Sequence, residues 1–215
     1  MLVTCWSVKG GSGTTVVAAA LALLAARSAP GALLVDASGD QPAALGLPEP
    51  ATPGVGDWLA ADPSVPAEHL GLLEVDVRPG LHLLARGPSW LAGDADRARA
   101  LAARLATDER TVIVDSSLGS PAELELVDAA HRSLLVLRPC YLGLRRAVAS
   151  PLRPTGVVLV REPRRALGRA DVEAVLGVPV LAQVDLDPEV ARVVDAGLLG
   201  ARLPRTLEHG LRNAA

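Results

Sequence analysis

Val8-Lys9-Gly10-Gly11-Ser12-Gly13-Thr14-Thr15 divides an apolar run suited to a strand, Leu2 to Val8, from an apolar run suited to a helix, Val16 to Ala26. A strand that ends in a glycine-rich turn and leads into a helix is the context a phosphate-binding loop requires. Gly10, Gly11 and Gly13 let the backbone take positive φ and bring its N–H groups close to an anion, and the helix adds its positive N-terminal end. The usual loop closes on Gly-Lys-Ser/Thr, whereas this one has Thr14 at the lysine position.

Lys9 is the single lysine among the 21 Lys and Arg residues of the chain. Arginine is a planar fork and lysine a compact ammonium on a flexible stem, which suits a crowded phosphate pocket. A lysine left by chance beside a flexible turn is the plainer explanation. Strand, loop and helix in that order favour phosphate binding over it.

The chain fits one domain, residues 1–215, with a substantial core. Half of the residues are apolar, and with no Phe and only 2% aromatics the core must come from Leu, Val and Ala. A formal charge of −3 gives no global basic character to recruit nucleic acid, so any DNA contact needs a local patch. Cys5 and Cys140 follow or lie within strand-like runs and make neither a disulfide framework nor a metal site. No signal peptide is visible and no apolar run has transmembrane length, so the cytoplasm is the expected location.

Alternation sets the architecture. Ala32 to Asp36, Thr111 to Asp115, Ser133 to Leu137, Gly156 to Val160 and Val178 to Ala182 read as strands. Helices are expected over 91–106, 123–130, 141–149, 170–176 and 187–196, with a short terminal helix broken by Pro204. Residues 37–66 are rich in Pro and Gly, with short helices near Asp57 and over Ala67 to Leu72. Val75 to Arg78 and Leu81 to Ala85 either pair or form one bent strand before the next. Such alternation predicts an α/β, three-layer P-loop fold with a mostly parallel twisted sheet covered by helices on both faces.

Ligands of open parallel sheets sit at the C-terminal strand ends. Thr15, Asp36 and Asp115 supply there a hydroxyl and two carboxylates, hard oxygen ligands of the kind Mg²⁺ takes beside phosphates.

Lys9-Gly-Gly-Ser-Gly-Thr-Thr resembles the deviant Walker A loop of the ParA/MinD family of dimerising ATPases, Lys-Gly-Gly-x-Gly-Lys-Thr-Ser/Thr. The resemblance implies that Lys9 reaches the partner subunit's nucleotide across a dimer. It also implies that Gly10 to Thr15 cradle ATP and that Thr15, Asp36 and Asp115 hold Mg²⁺, Asp115 as the Walker B aspartate. Thr14 stands where the lysine that holds the β- and γ-phosphates is expected. The family's Asp-x-Asp in switch I becomes Asp36-Ala37-Ser38, with Asp40 as the candidate substitute for its catalytic acid. Gly119 is the candidate hinge of switch II. Val160 replaces the adenine-reading asparagine, and Asp185 matches a second adenine contact.

Loss of a charged phosphate contact lowers affinity by roughly ten- to a hundredfold, so ATP binding is expected to be weak or dimer-dependent. The resemblance implies a homodimer that positions cargo with a protein adaptor or activator, and with hydrolysis impaired or absent. Its alternative is a catalytically degraded TadZ/CpaE-like scaffold for pilus assembly. Nonspecific DNA contact through Arg161, Arg164, Arg165 and Arg169, or through Arg145, Arg146 and Arg153, ranks below solvation of those arginines. The tail lacks the face of a membrane-anchoring helix. Metabolic enzymes of this fold require the missing lysine, and iron-sulfur reductases require cluster cysteines.

Overall fold

Strand runs of Leu, Val and Ala without alternation can only be buried on both faces, and the molecule buries them so. The computed structural model describes residues 1–49 and 52–214. Pro50 and Ala51, in the Pro- and Gly-rich segment 37–66, and Ala215, ending the tail, lie outside the described residues.

In chain order the elements are β1 (Leu2–Trp6), α1 (Thr14–Ala25), β2 (Ala32–Asp36), α2 (Gln41–Leu45), α3 (Val55–Ala60), a 3-10 turn (Ala67–Leu73), β3 (Glu74–Arg78) and β4 (Leu81–Leu84). There follow α4 (Ala95–Ala106), β5 (Thr111–Ser116), α5 (Pro121–Asp128), β6 (Arg132–Leu137), α6 (Tyr141–Ala149), β7 (Gly156–Arg161), α7 (Arg169–Leu176), β8 (Val180–Asp185), α8 (Pro188–Asp195) and α9 (Arg205–Leu211).

One eight-stranded sheet runs β3-β4-β2-β5-β1-β6-β7-β8. Every described pairing is parallel except β3 with β4, an antiparallel hairpin across Pro79-Gly80 that resolves the two alternatives for these runs. Helices α1, α2, α8 and α9 pack on one face with Val3, Cys5 and Leu34. On the other face α3, α4 and α5 cover Leu33, Val112 and Val114, and α6 and α7 cover Leu135 and Val157. The three-layer expectation holds. Helix α1 is buried over Val17 to Leu23, nearly all round, as its unbroken apolar composition demands.

Helix α2 has no counterpart among the expected elements, the helix expected over Ala67 to Leu72 is a 3-10 turn, and the other differences lie at element ends. The helix expected from residue 91 begins at Ala95, because the Asp94 carboxylate accepts from Arg97 N at 2.8 Å and caps it there. Helix α5 begins at Pro121, earlier than expected, since Ser120 is its N-cap and Pro fits the first turn. Strand β8 begins beyond Pro179.

Register sets the site. Cys5, Asp115 and Asp36 lie side by side on β1, β5 and β2. The glycine loop leaves β1 just above this row, between two carboxylate-bearing strands and β6.

Candidate functional site

The loop turns on left-handed residues. Gly11 has φ of 75° and Gly13 of 90°, conformations that cost an L side chain roughly 1–2 kcal/mol. A Cβ placed on Gly10 or Gly11 would meet nothing within 4 Å, so the turn opens onto free space. Ser7 and Ser12 hydroxyls donate to Lys9 O at 3.1 and 2.7 Å and tighten the turn from below. Helix α1 starts at Thr14 with no side-chain cap and no acid in its first turn. Its first N–H groups are therefore available, with the positive end of the helix behind them.

An open pocket of about 560 Å³ lies over this end; Lys9 to Thr15 border it with Ser38, Asp40, Asp115 and Arg146. Asp115 is 1% exposed. Its Oδ2 accepts from the Ser38 hydroxyl at 2.6 Å and from Gln41 Nε2 at 2.9 Å, whereas its Oδ1 is buried with no hydrogen-bond partner. Burial pushes the Asp115 carboxyl up, and the Ser38, Thr15 and Gln41 side chains beside it oppose the rise. Asp36 stands behind the pocket and does not border it. Its oxygens organise the following turn, accepting from Gly39 N at 2.6 Å and Gln41 N at 3.2 Å. Burial raises it to about 6. Asp40 is exposed on the pocket wall, at the N-cap of α2.

Three contributors escaped sequence reasoning. Gln41, fully buried, links Asp115 to Thr15 O at 3.0 Å; it begins a helix hidden in the Pro- and Gly-rich stretch. Glu123, 2% exposed, accepts at Oε1 from Ser117 N at 2.6 Å and from the Ser116 and Ser117 hydroxyls, tying down the loop after β5. Arg138, just past β6, donates to Gly11 O at 3.1 Å and pairs with Glu162. In the loop after β5 the positive φ falls on Leu118, at 59°, and not on Gly119, the expected hinge.

Val160 and Asp185 are brought together, bordering an apolar pocket of about 210 Å³ that also touches Gly13. The Asp185 carboxylate is held by Arg161 at 2.6 and 3.1 Å. Arg165 pairs with Glu162 and Arg169 with Glu173, so the basic group at 161–169 is largely neutralised. Cys5 is buried, and the Cys140 sulfur caps α6 by accepting from Gly143 N at 3.3 Å. Among the described residues no helix is long and apolar enough to cross a membrane.

An uncapped helix end, an open glycine turn and a partnerless buried carboxylate oxygen make an anion site with a cation position beside it. Among the described residues no group of three His, Cys, Asp or Glu side chains surrounds that position. A divalent ion there needs phosphate oxygens and water to complete its shell, the manner in which Mg²⁺ is usually held beside nucleotides. The residues present fit Mg²⁺ with a polyphosphate; they do not fit a metal held by protein alone.

No protein-family model matches this sequence, and no curated protein matches it. Solved structures do. A ParA family ATPase from Chlorobium tepidum TLS is 17% identical, with 98% of this chain and 96% of that one covered at a TM-score of 0.77. The septum site-determining protein MinD of Pyrococcus horikoshii OT3, complexed with Mg-ADP, is 18% identical over 100% of this chain and 95% of its own, TM-score 0.74. The MinC:MinD cell division complex of Aquifex aeolicus matches at 18% identity over 92% and 86%, TM-score 0.69. The chain has the ParA/MinD-type P-loop fold.

Proposed function

We propose that this chain is a ParA/MinD-type, nucleotide-linked dimerising switch that positions cargo in the bacterial cytoplasm, with ATP hydrolysis impaired or absent. The cargo class is chromosome or plasmid partition, or placement of a division or pilus site. The observation that carries the reading is the open Gly10 to Gly13 turn ahead of the uncapped α1, with Asp115 Oδ1 buried and partnerless at its side.

In this reading the backbone N–H groups of Gly10 to Thr15 receive the phosphates, and the apolar pocket beside Gly13 receives the base. Thr15 and Asp115 hold Mg²⁺, which when bound neutralises phosphate charge. Asp36 serves that site from behind, by shaping the 38–41 turn that delivers Ser38 and Gln41 to Asp115. Lys9 is exposed and has no ion pair or side-chain hydrogen bond among the described residues, as befits a cation offered to a second subunit. Asp185, engaged by Arg161, contributes as a wall of the base pocket. A protein adaptor or activator is the expected partner, and the paired arginines at 161–169 leave little charge for DNA.

Impaired hydrolysis follows from two positions. Thr14 carries no charge to the β- and γ-phosphates. Ser38 puts a hydroxyl where a second acid is expected and closes it onto Asp115, leaving exposed Asp40 as the remaining candidate to orient water. The closed Ser38–Asp115 contact favours the second reading, a scaffold of TadZ/CpaE type that keeps the fold without turnover.

Light scattering with and without ATP–Mg²⁺, run beside a turnover assay, tests the proposal. A nucleotide-dependent rise in mass with little turnover is expected. Unchanged mass at millimolar ATP would remove the switch and leave the scaffold.

A further inference from the structure

We infer that Arg146, from α6 of the same subunit, is the cation that meets the phosphates where the loop lysine is missing. The inference rests on the nucleotide-binding reading above and adds a residue to that site. Three cations stand around the loop: Lys9, Arg138 and Arg146. Arg138 is already engaged, donating to Gly11 O and pairing with Glu162, so it braces the loop and has little charge to offer a ligand. Lys9 leaves the loop at its exposed start.

Arg146 borders the same pocket as Gly10 to Thr15. Unlike Arg110, Arg138, Arg161, Arg165 and Arg169, it has no ion pair among the described residues, and its side chain makes no hydrogen bond there. An arginine with no partner among the described residues, bordering a pocket with an open glycine turn and a free helix end, has its guanidinium available to an anion.

Helix α6 is placed to deliver it. Gly143 lies against the end of β6 so closely that a Cβ would sit 3.1 Å from Leu137 Cδ1 and 3.3 Å from Arg138 O. Leu144 and Ala147 are buried against the sheet, and Cys140 caps the first turn. Arg146 follows Gly143 by one helical turn, on a rigid element and not on the loop, and its planar fork suits two phosphate oxygens at once. Ionic balance agrees. The charged side chains that border the pocket are Lys9 and Arg146 against Asp40 and Asp115. Without Arg146, a polyphosphate entering one subunit would meet two carboxylates and a single ammonium, that of Lys9.

The test is calorimetry at a protein concentration where light scattering shows monomer, with Mg-ATP and with inorganic tripolyphosphate plus Mg²⁺ as probes. Wild type is compared with Arg146→Gln and Arg146→Lys. Arg146→Gln is expected to weaken both probes alike, by roughly ten- to a hundredfold, with Arg146→Lys regaining part. Residue 146 is exposed, so the thermal midpoint should stay put and show that the loss is not unfolding. Wild-type affinity for both probes in Arg146→Gln overturns the assignment while leaving the nucleotide reading intact. A loss confined to Mg-ATP also overturns it, because the contact would then be to base or ribose. No binding of either probe by the wild-type monomer overturns this assignment, and no binding at any higher protein concentration overturns the nucleotide reading with it.

Discussion

Two groups of charges in this molecule have opposite character. Arg110, before β5, donates to both oxygens of Glu74 at 2.7 and 2.8 Å and to Asp108 at 2.9 and 3.0 Å, and Arg104 reaches Asp108 at 3.2 Å, so two cations match two carboxylates. Around the glycine loop, Lys9 and Arg146 have no partner among the described residues, Asp115 Oδ1 is buried without a donor, and Asp36 is pushed up by burial. Arg110 is spent entirely inside the protein, whereas the charges around the loop are left free for a ligand. The first group holds the fold, and the second is arranged for a ligand.

The contrast is broken most simply by removing Arg110. Arg110→Ala strands the Glu74 carboxylate and leaves Asp108 with Arg104 as its remaining cation, and should lower the unfolding free energy by about 3 kcal/mol in chemical denaturation. Lys9→Ala should change it by no more than about 0.5 kcal/mol, since it removes no internal contact. Similar losses in both would erase the distinction.

Thr14→Lys adds the absent charge to the loop. ATP affinity should rise by roughly ten- to a hundredfold at every protein concentration, read by calorimetry. If turnover appears as well, the chain is a disabled ATPase; unchanged affinity would place the loss deeper, at Ser38 and Val160.

Ser38→Asp sharpens the comparison from the other side. The hydroxyl it replaces donates to Asp115 at 2.6 Å, so a carboxylate there sets like charges together in a buried site. Without Mg²⁺ at pH 8 stability should fall by roughly 1–3 kcal/mol, and added Mg²⁺ should restore much of it. A thermal midpoint indifferent to Mg²⁺ in this variant would count against a cation position at Asp115.

The smallest effect is in pH, and the two regions carry opposite signs. Hydrogen bonds from Arg110 hold Asp108 at about 2, below its ordinary 3.8. Its contribution is present above pH 3.8 and is lost as pH falls toward 2. Burial lifts Asp36 from 3.8 to about 6, so the folded state keeps a proton that the unfolded chain releases. Stability from that group falls as pH rises through the same interval. Denaturation of the Mg²⁺-free protein across pH 2–7 should show a shallower acid-side slope in Arg110→Ala, with the slope between 4 and 6 unchanged.

Much of this was legible in the sequence where one segment sufficed. The apolar runs ending in Asp36 and Asp115 had to be buried strands with acids at their tips, and the glycine turn between β1 and α1 needed no tertiary information. The unread parts depend on which strands become neighbours. Arg138 reaches Gly11 across 127 positions, and nothing local to either residue announces the contact. Gln41 sits among Pro and Gly that mask a helix of five residues, one turn long and held by Asp36. Glu123 read only as the start of a helix, yet its carboxylate turns back onto Ser116 and Ser117. Arg146 read as one of many solvated arginines, and only the fold sets it beside the loop.

Calorimetric titration of the wild-type protein with ATP–Mg²⁺ at a series of protein concentrations bears most directly on the nucleotide-linked dimer. Weak binding at dilution, tightening as concentration brings Lys9 of one subunit to the pocket of another, is the predicted result. Tight binding by a monomer, independent of concentration, or no binding at any concentration, would contradict it.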